Sequence, residues 1–189
     1  ELNINANVTF QRNKLLSLSG MYNGEMISAP EYKSLASLDG AGFHGGYNHI
    51  VYQMVGQPLG VFYLPHSTGL VSDGNGGYTY GIADLNGGGV NLEDGEDRYV
   101  AGQAVPKTIL GSNISFRYKH FDLSVQINGA FGHKIYNGTS LTYMNMNIFP
   151  DYNVMKSAPK QNIKDQTATD YWLEKGNYVN FDYVTLGWN

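Results

Sequence analysis

The densest run of oxygen donors in the chain is Asp84-x-Asn86-x-Gly88-Gly89, followed by Glu93, Asp94, Glu96 and Asp97. Hard cations take several oxygens at alternate positions, and glycine lets the backbone turn between them. Asp84, Asn86 and Asp97 are therefore candidate ligands of a calcium ion, Ca2+. The competing reading is a glycine-rich turn carrying solvated carboxylates. His44 and His49 stand five apart in a glycine-rich stretch, and His66, His120 and His133 are scattered. Two His without a carboxylate partner at helical spacing make a poor metal site, so these read as loop histidines.

No G-x-S-x-G, H-E-x-x-H or G-x-x-x-x-G-K motif is present. The usual serine, zinc and phosphate-loop chemistries therefore have no residues to carry them. Gly74-Asn75-Gly76-Gly77 is followed by no helical pattern. A glycosidase needs two placed carboxylates, and nothing singles out a pair among the 16 acidic residues. The chain reads as no enzyme. Its best ligand contacts are aromatic: Tyr47, Tyr52, Tyr143, Phe149 and Tyr152 lie in or beside long connections. Such rings give a large contact area with a polar handle, suited to sugars or a partner protein. The plainer alternative is that they pack the loops or form an interfacial belt.

The elements that would position these residues are strands. Leu2, Ile4, Ala6, Val8 and Phe10 alternate with Asn3, Asn5, Asn7 and Thr9, which is the period of a strand with one apolar face. Thr108–Tyr118 and Phe121–Tyr136 are the two best strands, and only Lys119 and His120 separate them, so they form a tight hairpin. Tyr47–Val55, Gly60–Leu64, Tyr78–Asp84 and Tyr178–Trp188 read as further strands, with a bend at Gly56–Pro58 and a turn at Ser72–Gly77. Glu31–Leu38 reads as one or two helical turns, and Gly138–Asp170 as a long loop. The second arm of the hairpin, at about 16 residues, exceeds the roughly 9–11 of a transmembrane strand.

Composition agrees with strands and turns. Charged residues are 15% of the chain, against roughly 25% in an ordinary soluble domain. Polarity comes instead from 19 Asn and 24 Gly, which disfavour helix interiors. The net charge of −4 and the absence of a basic block argue against a nucleic-acid partner. With no cysteine, disulfides and thiolate metal sites are excluded. No apolar run is long enough for a transmembrane helix. Both ends fall within alternating patterns and no signal peptide precedes them, which suggests a fragment, with residues 1–189 one part of a longer barrel. Pattern alone leaves two architectures open, an outer-membrane barrel segment and a secreted, soluble β-sandwich that binds carbohydrate or peptide.

Four passages bear on that choice: GQPLGVFY (Gly56–Tyr63), YGIADLNGGGVNLEDGEDRYVAGQAVPK (Tyr80–Lys107), ISFRYKHFDLSVQINGAFGHKIYN (Ile114–Asn137) and GNYVNFDYVTLGWN (Gly176–Asn189). Their order and spacing resemble the C-terminal part of the SusC/RagA family of TonB-dependent transporters. The resemblance implies an all-β fold, an antiparallel transmembrane β-barrel segment with long extracellular loops. It would supply roughly five or six of the 22 strands of a plugged barrel. It also implies a cell outer membrane location in a Gram-negative cell, contact with outer-membrane lipid, and import of glycans or peptides. The implied partners are a SusD-like surface lipoprotein and TonB, the latter acting through a plug domain upstream, with no cofactor. In one respect the chain departs from the family. Gly88 stands where an Asp is common, and the acidic loop is two residues longer, which weakens the calcium reading.

Overall fold

The computed structural model describes residues 1–38, 48–92 and 96–189. The strands are β1 (Leu2–Phe10), β2 (Gly20–Tyr22), β3 (Glu25–Ile27), β4 (Tyr32–Ser37), β5 (His49–Met54), β6 (Val61–Pro65) and β7 (Ser67–Ser72). They continue as β8 (Tyr78–Ile82), β9 (Arg98–Gln103), β10 (Thr108–Tyr118), β11 (Phe121–Phe131), β12 (Lys134–Tyr136), β13 (Leu173–Lys175) and β14 (Tyr178–Trp188). Two short helices, α1 (Gly138–Tyr143) and α2 (Ala158–Gln161), lie in the last long connection. The fold is all-β and antiparallel.

The four longest strands form one sheet in the order β1-β10-β11-β14. Its register follows from the alternation. Ile4, Ile114, Val125 and Val184 make one continuous rung, and Leu2, Phe116, Leu123 and Leu186 make another two residues away. Between them lies Asn3, Ser115, Ser124 and Thr185. Period 2 thus gives the sheet one aliphatic face and one polar face. In β14 the apolar positions change phase between Phe181 and Val184. A bulge absorbs the change: Gln126 pairs with Tyr183 and Ile127 with Phe181, leaving Asp182 as the extra residue. The carboxylate of Asp182 is held there by the side-chain amides of Asn128 and Asn180.

The connections are strongly unequal. β10 and β11 are joined by Lys119 and His120, with Lys119 in the left-handed region at φ 53°. The connection from β1 to β10 (residues 11–107) and that from β11 to β14 (residues 132–177) both leave from the opposite end. Those two segments fold together into a cap. It contains the sheet β4-β5-β6-β9, the ladders β7-β8, β2-β3 and β12-β13, and the helices. Ile50, Phe62, Leu64, Tyr80, Leu141, Ile163 and Ala168 form its core. The buried core therefore sits in the cap, and the aliphatic face of the long sheet is uncovered: Ile4, Val184 and Leu186 are each 60% exposed or more.

Four expectations change. Four strands, not five or six, make the long sheet; the segments around β5, β6 and β8 belong to cap sheets. Glu31–Leu38 is not helical: β4 pairs with β5, so ladder partners override the local preference. The strand beginning at Phe121 stops at Phe131, because Gly132 at φ 79° turns the chain and Lys134–Tyr136 pairs with β13 instead. The expected loop 138–170 contains α1 and α2 and supplies Leu141 and Ile163 to the core.

Candidate functional site

The polar face of the long sheet is an amide wall. Asn5, Asn113, Gln126 and Tyr183 form a rung across all four strands. Within it the Asn113 side-chain amide donates to Gln126 Oε1 at 3.1 Å and to the Tyr183 hydroxyl at 3.2 Å. Above and below lie Asn3 and Asn7, Ser124 and Asn128. These groups both donate and accept and carry no charge. They can exchange weak hydrogen bonds with hydroxyl- or amide-rich molecules without holding any of them tightly. Arg117 and Asp122 stand opposite each other near the two-residue turn.

The cap hangs on Asp170. Its carboxylate accepts from Ser67 N at 2.6 Å and from the Tyr99 hydroxyl at 2.7 Å, and it pairs with His66 Nδ1 at 2.8 Å. Thr169 caps the short turn that carries it, accepting from Tyr171 N. Burial first, then the Asp170 carboxylate, push the Tyr99 phenol up to about 12. Trp172 Nε1 donates to the Tyr80 hydroxyl at 2.7 Å, and burial raises the Tyr80 phenol far above its usual range. His66, Leu85 and Tyr99 line a hollow of ≈ 230 Å³. The rings of Tyr171 and Trp172 lie edge to face at 4.9 Å, with Tyr171 38% exposed. This aromatic surface was not legible in the sequence, because the partners of Asp170 lie 71 to 104 residues away.

The five aromatic candidates separate. Tyr52 is buried in the cap, 5.4 Å from the Tyr63 ring and accepting from Arg98 Nη1 at 3.2 Å. It packs the cap and offers a ligand no face. Tyr143 closes α1 half-buried, its carbonyl held by Met155 N. Phe149 and Tyr152 are exposed on one segment of the last connection. Tyr47 and His44 lie outside the described residues.

The acidic loop is brought together, but around its own amides. Asp84 accepts from Gly87 N at 2.6 Å through one oxygen and from Gly89 N at 2.9 Å through the other. Those bonds, Gly89 first, hold its carboxyl below the usual range. Asp97 is fully buried and accepts from Leu85 N and Asn91 N, each at 2.6 Å. Asn86 accepts from Gly88 N and donates to Glu96. Glu93 and Asp94 lie outside the described residues. Among the described residues no three His or acidic side chains converge as a metal cage.

No family model matches the chain. TonB-dependent receptor P3 of Formosa agariphila is 26% identical over 201 residues, which cover 95% of this chain and 19% of that protein. The solved structure of the RagAB peptide transporter superposes with a TM-score of 0.61 at 13% identity, covering 98% of this chain and 20% of that one. The chain thus spans about a fifth of the length of each. The likeness in sequence and the likeness in fold meet the SusC/RagA resemblance carried by the four passages. The long sheet is a barrel segment.

Proposed function

We propose that the chain forms wall strands and surface loops of an outer-membrane, TonB-dependent importer. The carrying observation is the long sheet itself. One face is aliphatic and uncovered, the other is an amide wall, and all long connections leave from the end opposite a two-residue turn. Outer-membrane barrels have this plan, with short turns on the periplasmic side and long loops outside. At about 3.4 Å per residue and a tilt of about 40°, β10 and β11 rise about 26 Å, which fits the roughly 25 Å apolar band. The aliphatic face then meets lipid and the amide wall meets the lumen. The free edges of β1 and β14 call for further strands on both sides, since open edges are not tolerated in hydrocarbon.

The cargo in this reading is an oligomeric glycan or peptide, which the neutral wall can pass without trapping. Phe149, Tyr152 and Tyr171 on the cap offer rings to cargo or to a SusD-like surface lipoprotein. TonB would act through a plug domain elsewhere in the protein. A soluble sandwich fits less well, because it needs a second sheet over Ile4, Val184 and Leu186.

An antibody against residues 138–170 tests the reading on washed outer membranes. The expected result is a detergent-requiring band, larger than this chain, whose mobility changes on boiling. A soluble band at the chain's own mass would refute it.

A further inference from the structure

Cations gather where the long sheet hands over to the cap. Lys107 ends β10 as an irregular extra residue, its N–H donating at 2.8 Å to the carbonyl of Phe131, which Thr108 already faces. Lys107 therefore lies where the regular alternation of faces stops. Its stem crosses the turn at Gly132, where a Cβ would stand 3.0 Å from Lys107 Cβ. β12 and β13 then set Lys134 directly opposite Lys175. Like charges facing each other across a ladder destabilise it, and this ladder has only three residues on each strand. No described carboxylate pairs with Lys107, Lys134 or Lys175. The nearest in sequence, Glu174, sits on the next rung opposite Ile135 and accepts from the Asn137 amide.

The three lysines line one cavity of ≈ 390 Å³ with His133, Gln103 and Asn177. His133 Nδ1 is buried there with no hydrogen-bond partner. Arg12 lines an adjoining hollow that shares Lys107 and Gln103. The protein as a whole carries a net charge of −4, so this concentration of unneutralised cations is not a by-product of a basic chain.

We propose that the rim cavity is an anion subsite that receives a carboxylate or similar oxyanion group of the oligomeric cargo. The proposal rests on the transporter reading. Three lysines lining one cavity suit an oxyanion, which can accept charge-assisted hydrogen bonds from their ammonium groups. Gln103 and Asn177 can bond the uncharged part of the same residue. A lipid headgroup phosphate has the same chemistry. The side-chain amides of Gln103 and Asn177 in the same lining favour a hydroxyl- or amide-bearing cargo.

The test uses the full-length transporter in detergent, with fluorescent tetragalacturonate as the anionic probe and maltotetraose as the neutral one. Lys134→Gln/Lys175→Gln removes two charges and relieves the ladder's repulsion, so the fold should be kept. Tetragalacturonate binding should weaken roughly tenfold or more, the loss expected for charge-assisted bonds, and maltotetraose binding should not change. Lys156→Gln/Lys160→Gln makes the same charge change beside α2 and should leave both probes unaffected. Equal loss in the two double variants, or no loss in the first, overturns the subsite. So does a variant that loses co-purifying lipopolysaccharide phosphate but binds tetragalacturonate as before, which would assign the lysines to lipid. Boiling-dependent mobility of the parent protein reads the barrel separately. Its absence would refute the transporter reading and the subsite with it, whereas its presence with indifferent binding would refute the subsite alone.

Discussion

Val125 and Gln126 are neighbours on β11 and should respond oppositely to the same substitution. Val125 lies in the rung Ile4, Ile114, Val125 and Val184, and Gln126 in the rung Asn5, Asn113, Gln126 and Tyr183. Val125 is four residues from the turn end at Phe121, which at about 3.4 Å per residue and about 40° of tilt is about 10 Å up a 26 Å wall. That is close to mid-bilayer. Val125→Arg should therefore cost about 2–4 kcal/mol, the range for arginine on the lipid face near the midplane. Gln126→Arg loses the 3.1 Å bond from Asn113, a neutral bond worth about 1 kcal/mol net, and keeps its guanidinium in water. The full-length barrel, refolded into phosphocholine vesicles and unfolded in guanidinium, gives both values. Equal costs, or a larger cost at Gln126, would refute the assignment of faces and the membrane reading built on it.

Asp97→Ala should loosen the acidic loop by about 3–5 kcal/mol, because two part-buried backbone amides lose a charged, buried acceptor. Hydrogen exchange at Leu85 and Asn91 should rise while boiling-dependent mobility is kept. A chelator should leave the parent's exchange unchanged; if it releases those amides, an ion and not the turn holds the loop. The cap should also weaken in alkali. Tyr99 has a folded pKa of about 12, raised above the roughly 10 of an unfolded tyrosine. Its contribution is therefore complete below pH about 10 and is lost as pH rises through about 12. Asp170→Asn should bring the phenol back toward its ordinary value, read by ultraviolet absorbance of the phenolate. Ionisation of Tyr99 at its ordinary pKa in the parent would refute the Asp170 contact.

The long sheet was legible because its information is local. Leu2–Phe10, Thr108–Tyr118 and Tyr178–Trp188 keep in the structure the bounds read from alternation. A strand whose apolar face is uncovered has no protein neighbours on that side to override period 2. The cap was less legible for the opposite reason. β4 exists because β5 pairs with it. The segment 138–170 is ordered because Leu141 and Ile163 reach residues such as Phe62 and Leu64 in the first connection. Among the site residues, Phe149 and Tyr152 were expected on a long connection, and there they are exposed. Tyr52 looked the same in sequence and is buried, since burial depends on Tyr32, Tyr63 and Arg98 arriving from other strands.

The two long connections are not independent loops, and this shapes the rim. Tyr78 in the first donates to Asn162 O and accepts from Lys164 N in the second. Tyr80 N donates to Asp165, and Asp170 gathers His66, Ser67 and Tyr99. The cap therefore ties the β1–β10 connection to the β11–β14 connection over the top of the β10–β11 hairpin. Strand ends so tied cannot splay independently. The cavity holding Lys107, Lys134 and Lys175 draws its walls from both connections. Its shape then depends on the Asp170 hub as well as on its own residues. Loosening the hub should widen the spacing of the three ammonium groups and weaken their joint hold on an oxyanion, while the amide wall below, fixed by the ladder of β1, β10, β11 and β14, keeps its register.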